Sequence, residues 1–266
     1  MLRLLLALLF LLSALVVGQD SASRIIQRSL AANQRDWDAA PAFDCSEQDQ
    51  KRGGSRTYED LMVLGSPYER LVAVNGKPLT SAGQSAEKRK LDDEIEVRRH
   101  ESTHKRMQRI AKYEAKRKHD HTLMEQLAKA FDFKLVGEQT LNAHEVYVLK
   151  AMPRPGYQPP NMESQALMGM QGTLWIDKAT FQWVKVQAQV MHPVSIEGFL
   201  AQVEPGTRFE LEKAPVSADI WLLKHFSMRA HAKVLYLFQH NGQEDDTYFN
   251  YHEAQATPTE GSANAR

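Results

Sequence analysis

Residues 172–190 read GTLWIDKATFQWVKVQAQV. Apolar and polar residues alternate through Val184, Val186, Ala188 and Val190, the period-two pattern of a strand with one buried face. The apolar run through Leu174, Trp175 and Ile176 enters the same pattern from the other side. Only the short polar stretch from Asp177 to Thr180 separates the two, and strands joined so briefly are antiparallel. The pattern continues downstream in FLAQVE (199–204), TRFELEK (207–213), IWLLKHFSMRA (220–230) and AKVLYLFQH (232–240). Upstream, KLVGEQTLNAHEVYVLKAMP (134–153) reads as a hairpin, PRPGYQPP (153–160) as a proline-stiffened loop and MESQALMGM (162–170) as a brief helix.

The first half is mixed. Ile25, Ile26 and Leu30 stand at helical spacing, which predicts an amphipathic helix from Ala22 to Asn33. Strand-like text follows around Ala42 to Ser46 and from Arg56 to Val74, broken at Gly65, Ser66 and Pro67 and turning at Asn75-Gly76. From Ser85 to Lys118 the chain lacks Gly and Pro and is dominated by charge, which predicts one long helix (85–118). Its middle is polar all round and needs pairs such as Glu94 with Arg98. Leu123, Met124, Leu127 and Ala128 then form an apolar stripe that docks the continuation.

The opening MLRLLLALLFLLSALVVGQD has one basic residue, Arg3, an apolar stretch from Leu4 to Val17 and small residues around Gly18. This is the pattern of a signal peptide over residues 1–18, cut before Gln19. The apolar run is shorter than the roughly 20 residues a spanning helix needs. The expectation is an exported, periplasmic protein that does not span the membrane after cleavage. A single domain over 19–254 and a disordered tail over 255–266 complete the expected organisation. The lone Cys45 leaves no disulfide framework and no CxxC partner. Lys and Arg total 33 and so do Asp and Glu, so the molecule has no bulk attraction for nucleic acid or anionic surfaces.

Chemistry-bearing motifs are few. His100-Glu101-Ser102-Thr103-His104 is a literal HExxH, which in zinc peptidases puts two ligands and a general base on one helix. Its flanks, Arg98, Arg99, Lys105 and Arg106, are unlike the apolar walls of a zinc cleft and oppose a dication. His119 and His121 flank Asp120, but alternate residues point to different helix faces. There is no GxSxG elbow, P-loop or dinucleotide fingerprint, so no catalytic, metal or cofactor residue is assigned. Between Arg98 and Lys118 basic residues outnumber acidic ones. Such a stripe suits an anionic envelope surface or stands as a solvated face.

The late strands supply Trp175, Phe181, Trp183, Phe199, Phe209, Trp221, Leu222, Phe226, Leu235 and Leu237. These residues either pack as an ordinary core or, in a curved sheet, line a space able to hold an acyl chain. Periodicity does not separate the two.

The glycine entering the strand at Gly172, the Trp175-Ile176-Asp177 corner and the returning strand with Lys185 resemble the LolA-like superfamily of periplasmic proteins. That superfamily includes lipoprotein-sorting carriers and the N-terminal domain of RseB-type stress regulators. The stretch from Gly198 to Phe238, with its Trp221-Leu222 strand, is similar to the same pattern, and uncharacterised exported bacterial members share the charged central helix. The resemblance implies an α+β fold: a strongly curved antiparallel half-barrel sheet, helices over its concave face and one long charged helix between strands. It also implies a non-enzymatic binder or carrier of a hydrophobic ligand, a lipid or an acylated protein. No carrier gating residue matches a position here. The alternative is a structural or sensory interaction module with a packed core. A zinc peptidase would rest on HESTH alone.

Overall fold

The computed structural model describes residues 22–51, 53–196, 201–234 and 238–254. The expectations for residues 1–18, Phe199, Leu235, Leu237 and 255–266 lie outside them. The described chain forms two compact units. One comprises residues up to Trp37 together with His121–Glu244, and the other Asp38–Asp120 together with the chain from Asp245.

Helix α1 (22–39) opens the first unit and ends in a 3₁₀ turn at Ala40–Ala42. The second unit then builds β1 (Phe43–Lys51), β2 (Gly54–Val63), β3 (Ser66–Val74) and the two-residue β4 (Lys77–Pro78). All pair antiparallel in chain order, and β1 also pairs with the end of β13 (Phe238–Glu253). The β2–β3 turn places Leu64 and Gly65 at φ 47° and 93°, the left-handed pair that a two-residue hairpin loop demands.

The charged stretch is two helices rather than the single one expected: α2 (Ser81–His100) and α3 (Thr103–Ala130). Thr80 caps α2 by accepting from the Gly83 N–H at 3.2 Å. Glu101 is extended, at φ −63° and ψ 145°, and α3 restarts after Ser102, whose hydroxyl accepts from the Lys105 N–H at 3.3 Å. Arg98 and Arg109, one from each helix, converge on the β2–β3 turn. Arg98 donates to the carbonyls of Val63 and Ser66 at 2.8 Å, and Arg109 to that of Leu64 at 3.0 Å.

In the first unit the strand order is β5 (Phe131–Leu141), β6 (His144–Pro153), β7 (Met170–Asp177), β8 (Trp183–Val190), β11 (Arg208–Pro215), β12 (Trp221–Val234) and the start of β13. The short β9 (Val194–Ile196) and β10 (Ala201–Val203) pair with each other, and β10 joins β12 off this path. Helix α4 (Met162–Gln165) carries a reciprocal capping box between Asn161 and Ser164. The sheet is antiparallel and open, with β4 and β5 as its ends, and the class is α+β as expected. Five register shifts interrupt the described pairings, near Asp44, Thr57, Leu135, Trp175 and Glu212. Each is a bulge that bends and further twists its strand.

Candidate functional site

Two apolar rows cross the sheet of the first unit. Residues directly opposite on neighbouring strands share a face. Leu135, Leu149, Leu174, Val186, Leu211 and Phe226 therefore form one row from β5 to β12, and Phe133, Ala151, Gly172, Ala188, Phe209 and Met228 form the next. Ala151, Gly172 and Ala188 keep the middle of the second row shallow. A Cβ on Gly172 would come within 2.9 Å of the Gln187 carbonyl, so this position admits no larger residue.

Helix α1 lies on this face through Ala22, Ile25, Ile26 and Ala32, and the C-terminal turns of α3 add Met124, Leu127 and Ala128. Beneath them Leu149 and Ile176 are fully buried. Burial then falls off across the sheet. Ala188, Phe209 and Leu211 are half-buried at the margin of this cluster, and Phe226 and Met228 continue the rows beyond it, also half-buried. Among the described residues the apolar face is therefore wider than its helical cover.

Sequence reasoning brought some of the named aromatics together and not others. Phe181 and Trp183 are buried in the helix-covered cluster, and Phe209 and Phe226 lie on its rows. Trp221, 2% exposed, sits instead in a second cluster with Val146 and Val184, against which Trp175 packs. The β7–β8 register shift puts Val184 in that second cluster and Trp183 in the first, since Ile176 pairs with Trp183 while Trp175 pairs with Lys185. Val184 is the extra residue, so the even alternation read from Val184 to Val190 breaks at its first member. Leu222 is buried outside both clusters. The indole N–H of Trp183 is buried with no acceptor among the described residues.

The Phe181 backbone is left-handed, at φ 64°. Asp177 holds it there: one carboxylate oxygen accepts from the N–H groups of Ala179 and Thr180 at 3.0 and 2.7 Å and from the Thr180 hydroxyl at 2.9 Å. The Arg28 guanidinium of α1 covers the Phe181 ring at 3.6 Å.

A buried polar hub, not foreseen from the sequence, fixes the C-terminal end of α1. Asp36 accepts from the Trp221 N–H at 2.9 Å, the Gln182 amide at 2.9 Å and the Lys213 ammonium at 2.8 Å. Lys213 donates also to Asn33 at 2.7 Å, and burial lowers its pKa. These partners are far apart in sequence, and no local pattern announces them.

In the second unit, HESTH is not a single-helix motif. Helix α2 ends at His100, and Glu101 is engaged by Arg109 and Arg106, which lower its pKa. His100 contacts the Glu96 carbonyl and His104 the Gln108 amide, each at 2.9 Å. Of the HDH string, His121 stacks on Trp37 at 4.6 Å in the first unit. No group of three His, Cys, Asp or Glu side chains among the described residues is placed to hold a metal. Burial, and then the Asp60 carboxylate, push the Cys45 thiol up to about 12, so it is protonated at neutral pH and a poor nucleophile. Burial and Asp60 likewise raise Glu47, to about 7, while Tyr248 donates to it at 3.0 Å.

No family model matches the chain, and no curated protein matches it in sequence. Among solved structures it is similar to a domain provisionally named an outer membrane lipoprotein-sorting protein, from Vibrio parahaemolyticus. That likeness has 12% identity and a TM-score of 0.36 over 91% of this chain and 95% of the other. A DUF1329 family protein from Desulfovibrio piger is similar at 8% identity and a TM-score of 0.32, covering 87% and 92%. The Pseudomonas aeruginosa MucA/MucB complex gives 13% identity and a TM-score of 0.26, covering 89% and 100%. At such scores these likenesses carry no inference about ligand or partner. No helix among the described residues is long and apolar enough to cross a membrane.

Proposed function

We propose that the chain is an exported, non-enzymatic binder or carrier of a hydrophobic ligand, and that an acyl chain lies against the half-covered end of the two apolar rows. The observation behind this reading is the mismatch between face and cover: with Phe209 and Leu211 at the margin of the cluster packed with α1, Phe226 and Met228 extend the apolar face past it among the described residues. From β8 to β12 this end spans two strand spacings, about 10 Å. Burying about eight methylenes there gains roughly 6 kcal/mol before association costs are subtracted. On this reading the leader over residues 1–18 delivers the protein to the periplasm, where acylated proteins and lipids are the available ligands.

The test is saturable binding of a fluorescent fatty acid, displaced by phospholipid or lipopeptide, to protein whose N-terminus is first sequenced to confirm cleavage near Gln19. Ala188→Trp, which fills the shallow middle of the second row, weakens binding at least tenfold while the protein remains folded by far-ultraviolet circular dichroism. Absence of saturable binding, together with no lipid co-purified with the wild type, supports the packed-core interaction module instead.

A further inference from the structure

Charge is divided unevenly between α2 and α3. On α2, acidic and basic residues are balanced: the exposed Lys88, Lys90 and Arg99 are paired with Asp92, Glu87 and Glu96, and Arg89 is exposed with no acidic partner among the described residues. On α3, from Thr103 to His119, the only acidic residue is Glu114, and Arg117 engages it at 3.0 Å. Lys105, Lys112 and Lys116 are exposed and have no acidic partner among the described residues. At 3.6 residues per turn the three fall within about 40° of one another on the helix and span about 16 Å along it. Beside them the outward arc carries the small residues Ala111 and Ala115, with Met107, 66% exposed, at its far side.

We propose that this face of α3 docks on an anionic lipid bilayer, held by electrostatics without insertion. Ala111 and Ala115 let the helix axis come close to a flat surface, while flexible lysines along one side reach anionic headgroups. A folded protein partner calls for an apolar, close-packed centre, and Met107 is the one large apolar side chain on this arc. A single-stranded nucleic acid calls for aromatic stacking platforms, which the arc lacks. The helix is too polar to sink into hydrocarbon, so attraction between the lysines and the surface charge is the holding force. This inference stands apart from the apolar rows of the other unit.

The test is sedimentation of the full chain with vesicles of phosphatidylcholine alone and of phosphatidylcholine with phosphatidylglycerol. The wild type binds only the anionic vesicles and is released as the salt rises to roughly 0.5 M, where charge attraction is screened within a few ångström. K105E/K112E/K116E loses on the order of 100-fold in partitioning, K105R/K112R/K116R retains it, and K88E on α2 leaves it unchanged. Circular dichroism and fatty-acid probe binding establish that the charge-reversed protein is folded and separate this result from the fate of the apolar-row reading. Wild type that ignores anionic vesicles overturns the proposal, as does charge-reversed protein that binds them equally. So does binding that survives high salt but is lost in Met107→Asp, or capture by heparin without capture by vesicles.

Discussion

Phe181 and Glu47 show how single residues set local structure and its response to pH. A left-handed non-glycine residue costs on the order of 1–2 kcal/mol. At Phe181 that cost is met by the three hydrogen bonds Asp177 accepts and by burial of the ring beneath Arg28. Asp177→Ala leaves two backbone N–H groups without their acceptor and should lower stability by about 2 kcal/mol, read from urea unfolding. Glu47 makes a different prediction. Its carboxyl is raised in the folded protein from 4.5 to about 7 by burial and by Asp60, with Glu69 adding repulsion. The folded state therefore holds a proton that the unfolded chain releases, and stability present below about pH 4.5 is lost as pH rises through about 7. The thermal midpoint of the wild type should fall across that window, and Glu47→Gln should flatten the fall. A fall undiminished in that variant refutes the assignment. Neither residue was legible beforehand, since Phe181 looks like any strand aromatic and Glu47 gains its neighbours from β2 and β13.

Element by element, turn residues mark the ends of the strands more plainly than charge marks the ends of the helices. The turn at Asn75-Gly76 stands where turn chemistry places it, and the hairpin expected over 134–153 turns at Asn142 and Ala143, both left-handed. With no Gly or Pro between Ser85 and Lys118, the charged stretch reads as one helix. Ser102 was the available signal, a capping residue inside a helical run, and it is where α3 restarts. What sets the break is tertiary: Arg98 and Arg109 satisfy the carbonyls of a turn more than thirty residues away. Arg98, 6% exposed, makes four hydrogen bonds to that turn and one to Glu94. Arg98→Met keeps most of the side chain's volume but orphans those acceptors, and a loss of about 2–4 kcal/mol is expected. Lys88→Met on the exposed side of the same helix should stay within about 0.5 kcal/mol. Equal small effects at the two positions contradict an anchoring role for Arg98.

Across the whole molecule, antiparallel order followed from short loops, whereas pairings that close over long stretches of chain did not. β1 pairs with β13, Phe43 opposite Glu253, and β11 returns to β8 past two intervening strands. No period in the sequence encodes such partners, because each strand offers the same alternation to any neighbour. The Asp36 hub belongs to this class, joining α1 to the start of β8, to β11 and to β12 across separations of 146, 177 and 185 residues. It replaces apolar packing at one end of α1, whose buried stripe changes along the helix from Ile25 and Ile26 to Ser29, Asn33 and Asp36. A buried ion pair adds little net stability over apolar residues of equal size, but removing one partner strands the other. Lys213→Met alone leaves the 2%-exposed Asp36 carboxylate with two neutral donors, and a loss of about 3–5 kcal/mol is expected. D36N/K213M keeps an acceptor for the Trp221 N–H without a charge to desolvate, so it should lose less than the single variant. Urea unfolding of wild type, K213M, D36N and the double variant measures this as a coupling energy. Additive losses, or a Lys213→Met protein as stable as wild type, show that α1 is held by its apolar turns alone.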